Sequence, residues 1–100
     1  MTSDRRRNPR YLCSHLVEIV HGESKQHGVL EELSAEGAAV SLDTPIGPGE
    51  AVEMVAPGWR ARARVRYSKR RGKDFQIGLE FAEGCRWSPD VWQPDHLFLL

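Results

Sequence analysis

The run Trp59-Arg60-Ala61-Arg62-Ala63-Arg64-Val65-Arg66-Tyr67-Ser68 constrains the fold more than any other stretch of the chain. Arg60, Arg62, Arg64 and Arg66 recur at every second residue, with Trp59, Ala61, Ala63, Val65 and Tyr67 between them. Side chains alternate between the two faces of a β-strand, so this run is a strand with one wet face and one dry face. The remainder of the chain supplies further strands. Tyr11–Val20 (YLCSHLVEIV) favours a strand over a helix through its β-branched residues and the stop at Gly22. His27–Leu33, Ala38–Leu42, Ala51–Ala56 and Phe75–Phe81 continue the habit. The breaks fall at Gly22–Gln26, Ser34–Gly37, Pro45–Gly49, Pro57-Gly58 and Lys69–Asp74, all rich in turn formers. Short strands, close spacing and few helical patterns predict an all-β antiparallel barrel or sandwich.

With 100 residues the chain builds one domain around one core. Residues 1–10 read as a basic arm, 11–85 as the β domain and 86–100 as a separate C-terminal segment. That last segment holds Trp87, Pro89, Trp92 and Pro94 before Leu97-Phe98-Leu99-Leu100. Ser88 as N-cap with Pro89 at the first helical position predicts a short helix. The two tryptophans are expected to lay an apolar lid over one end or edge of the β domain, with an interaction motif as the other reading.

Charge is segregated although the formal net charge is zero. Residues 1–10 carry Arg5, Arg6, Arg7 and Arg10 against Asp4 alone, and residues 59–73 carry eight cations and no acid. The stretch between them sets Lys25 against eight carboxylates. Such alternation steers a small anion locally even when the whole molecule is neutral. No apolar run is long enough for a signal peptide or a membrane helix, and the expected location is the cytoplasm. Cys13 and Cys85 are then expected as free thiols.

Motifs for catalysis are missing. Cys13 and His15 lack any CxxC, HxxxH or HExxH context, so no metal is expected. No glycine-rich phosphate loop precedes a helix, and no serine stands in a nucleophile elbow. The reading is non-enzymatic, with no cofactor.

Two local features remain. Arg5-Arg6 is followed after three residues by Arg10, and Glu32-Leu33-Ser34-Ala35-Glu36-Gly37 follows some twenty residues later. In a strand entering a turn, Glu32 and Ser34 project to one side, and Gly37 is expected to supply a positive φ for the reversal. Taken alone, this is a hairpin turn with a solvated acid. Taken in order, the two features resemble the PilZ domain family, whose signature is RxxxR, often RRxxxR, followed by (D/N)xSxxG. The strand Gln76-Ile77-Gly78-Leu79-Glu80-Phe81 is similar to the family's last barrel strand. RxxxR also recurs at Arg60/Arg64, Arg62/Arg66 and Arg66/Arg70, but only Arg6/Arg10 precedes the serine–glycine turn.

The resemblance implies a six-stranded antiparallel β-barrel with a short C-terminal helical segment. It also implies a receptor for cyclic di-GMP that acts through an unidentified downstream protein. On that pattern Arg6 and Arg10 grip phosphate and guanine, and Arg5 is the extra arginine that accompanies uptake of a stacked ligand dimer. Ser34 contacts the ligand and Gly37 shapes the turn. Glu32 stands where the family has Asp or Asn, one methylene longer, so weakened or re-registered binding is expected. Two other readings stay open: a PilZ-like protein adaptor that binds no cyclic di-GMP, and a nucleic-acid groove along Arg60–Arg66. Strict alternation puts Trp59 and Tyr67 on the face opposite those arginines, which counts against a combined stacking platform.

Overall fold

The alternating arginine run forms most of the longest strand in the protein. In the computed structural model, which describes residues 9–100, it belongs to β5 (Trp59–Arg71). The other strands are β1 (Arg10–His21), β2 (Ser24–Ser34), β3 (Gly37–Leu42), β4 (Ala51–Ala56), β6 (Asp74–Phe81) and β7 (Phe98–Leu99). All neighbours pair antiparallel in the order β2-β3-β6-β5-β4-β1-β7. β1 also pairs back to β2, so β1 to β6 close into a six-stranded barrel and β7 adds to β1 beside β4.

Closure follows from the period-two pattern, because a sheet with one apolar face must cover it and a closed sheet covers its own. Ala61, Ala63 and Val65 of β5 are buried while Arg60, Arg62, Arg64 and Arg66 are exposed. Val17, Ile19, Leu30, Val40, Met54 and Ile77 fill the interior from the other strands. Each such side chain contributes roughly 1.5–3 kcal/mol by burial. The hairpins are tighter than the sequence implies. Strands resume at Ser24 and Asp74, so the β1–β2 and β5–β6 turns have two central residues each. Gly22 (φ 61°) and Gly72 (φ 64°) take the first position with positive φ, which matches the twist of antiparallel strands.

The C-terminal helix does not form. Val91 N–H and Trp92 N–H both donate to the Ser88 carbonyl, at 3.0 and 3.4 Å, which makes a single turn. Gln93 precedes Pro94 and is pushed out of the α region, and Pro94 has no N–H with which to continue. The chain instead runs on to β7, where Phe98–Leu99 pairs with Tyr11–Leu12 and Leu100 N–H donates to Arg10 O at 2.8 Å. Phe98 is 63% exposed, and the terminal apolar run is an added edge strand on β1.

Trp87 belongs to the hydrophobic core and Trp92 packs against it. Trp87 is 2% exposed, meets Tyr11 edge-on at 5.4 Å, and donates from Nε1 to Trp92 O at 2.9 Å. Trp92 stacks on Trp59 at 5.6 Å, and Trp59 meets Phe81 edge-on. Cys13 and Cys85 are free thiols. Among the described residues no helix is long and apolar enough to cross a membrane.

Candidate ligand site

The site is assembled by strand register. Arg10 lies directly opposite Ser34 in the β1–β2 ladder, and Leu12 lies opposite Glu32. Cross-strand partners share a face, so Arg10, Glu32 and Ser34 stand on the outside of the barrel around buried Leu33. After Ser34 the chain bends at Ala35-Glu36 and enters β3 at Gly37. Ser34 Oγ donates to the Gly37 carbonyl at 3.4 Å. The bend is fixed from two other elements: Trp87 N–H donates to Ala35 O at 3.0 Å, and Phe81 N–H donates to Glu36 O at 2.8 Å. Trp87 therefore positions the turn that carries Ser34.

Gly37 is glycine for a different reason from the one read in the sequence. It is not among the residues with positive φ, so no left-handed turn depends on it. Instead it packs against β6, where an added Cβ would lie 2.3 Å from the Leu79 carbonyl oxygen. The close backbone approach is what excludes a side chain.

Opposite the turn, the strand register shifts. Val65 pairs with Leu79 but Tyr67 pairs with Gly78, leaving Arg66 as the extra residue of a β-bulge. A bulge places two residues against one and reverses the alternation beyond it. Tyr67 therefore joins Arg66 on the outer face and is 44% exposed, contrary to the placement that strict alternation gives. Its ring fills the space above Gly78, where an added Cβ would lie 2.0 Å from Tyr67 Cε2. Trp59 does stay on the face opposite the arginines, packed against Phe81 and Trp92.

Between these walls lies a hollow of about 530 Å³. Arg10, Glu32, Ser34 and Gly37 line one side, with Arg66, Tyr67, Gly78 and Glu80 on the other. Ala39 and Gly78 are cross-strand partners and keep its floor shallow. Arg5 and Arg6 lie outside the described residues. Arg66 and Tyr67 were missed as lining residues in the sequence because nothing in their alternation marks the bulge. Gly78, a glycine inside a strand, was the available signal.

A polar lattice braces the Tyr67 side. Tyr67 Oη donates to Gln76 Oε1 at 3.5 Å, and Gln76 Nε2 donates to Glu31 Oε1 at 3.5 Å. Arg71 forks onto Glu31 at 3.0 and 2.7 Å and donates from Nε to Asp74 at 3.3 Å. Ser41 Oγ donates to Asp74 at 2.7 Å. The Ser41 bond, then Arg71, holds the Asp74 carboxyl below the usual carboxylate range. Glu31 and Asp74 in turn raise the already high pKa of Arg71. Glu32, by contrast, has no hydrogen bond or ion pair among the described residues, and it lines the hollow. The buried Cys13 thiol is pushed up to about 11, first by burial and then by Glu32 and Glu31, so it is protonated at neutral pH.

The fold and the hollow define a small closed antiparallel barrel with a polar site on its outer face, at the junction of β1 and the β2–β3 turn. The chain belongs to the PilZ domain family, which it matches over residues 4–85. Among solved structures it is similar to the Bacillus subtilis inhibitor of motility (MotI/DgrA), with a TM-score of 0.70 and 22% identity. That alignment covers 88% of this chain and 46% of the other, so the likeness is one of fold over about half of the neighbour. No curated protein sequence matches the chain.

Proposed function

We propose that this protein is a cytoplasmic, non-enzymatic receptor for cyclic di-GMP that passes the signal to a protein partner. Membership of the PilZ family supports the reading. The observation that carries it is the register that sets Arg10 across from Ser34 beside Glu32, on one hollow that Gly37 helps to form. The volume falls within the roughly 300–1,000 Å³ usual for small-molecule sites. Arginine forks onto phosphate or the guanine O6/N7 edge, and its plane stacks on the base for about 0.5–2 kcal/mol per contact. Arg10 and Arg6 are assigned to phosphate and guanine, and Arg5 to a second, stacked ligand. Glu32 accepts from guanine N1–H and N2–H, with the longer reach of Glu shifting that contact relative to Asp or Asn. Ser34 contributes its hydroxyl from the edge. Ligand held between residues 5–10 and β2 alters the surface offered to the partner.

The test is calorimetric titration of the wild type with cyclic di-GMP beside Arg6→Ala and Glu32→Asp. Arg6→Ala abolishes binding, and Glu32→Asp preserves or strengthens it. Absence of heat with the wild type at high micromolar ligand would overturn the receptor reading and leave a PilZ-like adaptor that binds only protein. The nucleic-acid reading gains no support from the bulge, since the one aromatic it adds to the arginine face lies inside this hollow and not along an open track.

A further inference from the structure

We propose that the outer face of β1 is where a second copy of this chain docks, strand against strand and antiparallel, around Leu12, Ser14 and Leu16. The pairing goes beyond the receptor reading and does not depend on ligand.

Three observations carry it. First, β1 is apolar on the face where β5 is charged. β5 turns Arg60, Arg62, Arg64 and Arg66 to solvent, whereas β1 turns out Leu12 and Leu16, which are 42% and 63% exposed. A leucine on the wet face of a closed barrel adds nothing to the barrel's own core. Second, these side chains are not scattered. Register sets exposed Val29 of β2 opposite Leu16 and exposed Phe98 of β7 opposite Leu12, so one apolar patch runs across three neighbouring strands. Single surface leucines need no explanation, but a contiguous apolar patch with a polar rim marks an interaction site.

Third, opposite charges bound the patch at equal distances. The outer row of β1 reads Arg10, Leu12, Ser14, Leu16, Glu18. Arg10 and Glu18 each stand four residues from Ser14, about 13 Å along a strand. Neither side chain has a hydrogen bond or ion pair among the described residues. Reversed, the row is complementary to itself. A two-fold axis between two such faces, level with Ser14 and running across the strand, sets Leu12 against Leu16 of the second copy and Arg10 against its Glu18. A parallel pairing would set Arg10 against Arg10 and Glu18 against Glu18. This self-complementarity is what an isologous interface requires, and it selects a second copy over an unrelated protein, which has no need to match the reverse of the face it meets. The apolar centre supplies the affinity. The charges at the rim fix the direction, since exposed ion pairs add little energy while like charges in the wrong register repel.

The experiment is sedimentation velocity over a range of protein concentrations, without ligand because Arg10 is assigned to the ligand as well. The wild type is expected to pass from monomer to dimer with a dissociation constant of roughly 1–100 μM, as suits a small interface. Leu16→Lys places a charge at the centre of the pairing without touching the monomer's core, and weakens the dimer at least tenfold. Arg10→Glu and Glu18→Arg each weaken it, and the two together restore it to within threefold of wild type. Lys69→Glu, a charge reversal at an exposed β5 position outside the patch, leaves it unchanged. Circular dichroism establishes folding of each variant, and if Leu16→Lys fails to fold, the charge reversals decide. A wild type that stays monomeric into the millimolar range would overturn the proposal and leave the face to a different protein, with the receptor reading untouched. A dimer that Leu16→Lys does not weaken, or that the double reversal does not restore, uses another face or another register and overturns it as well.

Discussion

Replacing Trp87 by alanine probes the link between this buried side chain and the ligand site. Trp87 is 2% exposed and is the largest fully buried side chain. Truncating a buried aromatic to alanine costs about 3–5 kcal/mol, which includes the lost edge-on contact with Tyr11 and the lost bond to Trp92 O. Against a total stability of roughly 5–15 kcal/mol this is a large share. At about 4–8 °C per kcal/mol for a domain of this size, Tm falls by roughly 12–40 °C. Trp87→Phe keeps a ring against Tyr11 but loses the indole N–H, and costs about 1–2 kcal/mol. Urea denaturation followed by circular dichroism gives both values. Native-state hydrogen exchange adds a site-specific reading: in Trp87→Ala the residue 87 amide, which donates to Ala35 O, loses protection before the β3–β6 ladder does. A Trp87→Ala protein within about 1 kcal/mol of wild type, with that amide still protected, would refute the argument that Trp87 supports the turn.

Gly37→Ala forces a methyl group to within 2.3 Å of the Leu79 carbonyl and is expected to cost about 1–3 kcal/mol. Gly47→Ala, in open space without positive φ, is the neutral control in the same urea experiment. Asp74 has a folded-state pKa below its unfolded value, so its contribution is fully present above about pH 4 and disappears as pH falls through the folded value. Asp74→Asn therefore flattens the acid limb of stability below about pH 4, and an unaltered acid limb would rule out the Ser41–Asp74–Arg71 linkage as its source. With its pKa raised to about 11, Cys13 is thiolate in only about one molecule in a thousand at pH 8. Mass spectrometry after iodoacetamide treatment of the native protein is expected to find Cys85 modified first and Cys13 modified only on unfolding.

The barrel strands were legible because their signal is local and repetitive. Alternation over Trp59–Val65 and the glycine or proline breaks around it placed β1 to β6 within a few residues, since period two and turn chemistry are properties of short windows. The C-terminal segment was not legible in the same way. Ser88-Pro89 is a sound helix start, but the start is followed too soon by Pro94, and one turn cannot repay the cost of nucleating a helix. β7 could not be read at all, because a strand of two residues exists only by virtue of the Tyr11–Leu12 edge it joins.

The candidate site divides along the same line. Arg10, Glu32 and Ser34 come together through a hairpin, whose register follows from turn position and alternation, and their shared face could be stated from sequence. The opposite wall depends on one inserted residue in β5, and an insertion is defined only against the strand it pairs with. Nothing in the spacing of Arg66 and Tyr67 distinguishes a continued alternation from a reversed one. What does distinguish them is Gly78 in β6, since a ring can turn outward at Tyr67 only if the facing position leaves room for it. A glycine inside an otherwise regular strand and an aromatic on its neighbour are thus better read as a pair than singly. Gly78→Ala tests the pairing: the added methyl displaces the Tyr67 ring and is expected to cost about 1–3 kcal/mol in the same urea experiment. A Gly78→Ala protein as stable as wild type would show that the ring does not depend on the bare backbone beneath it.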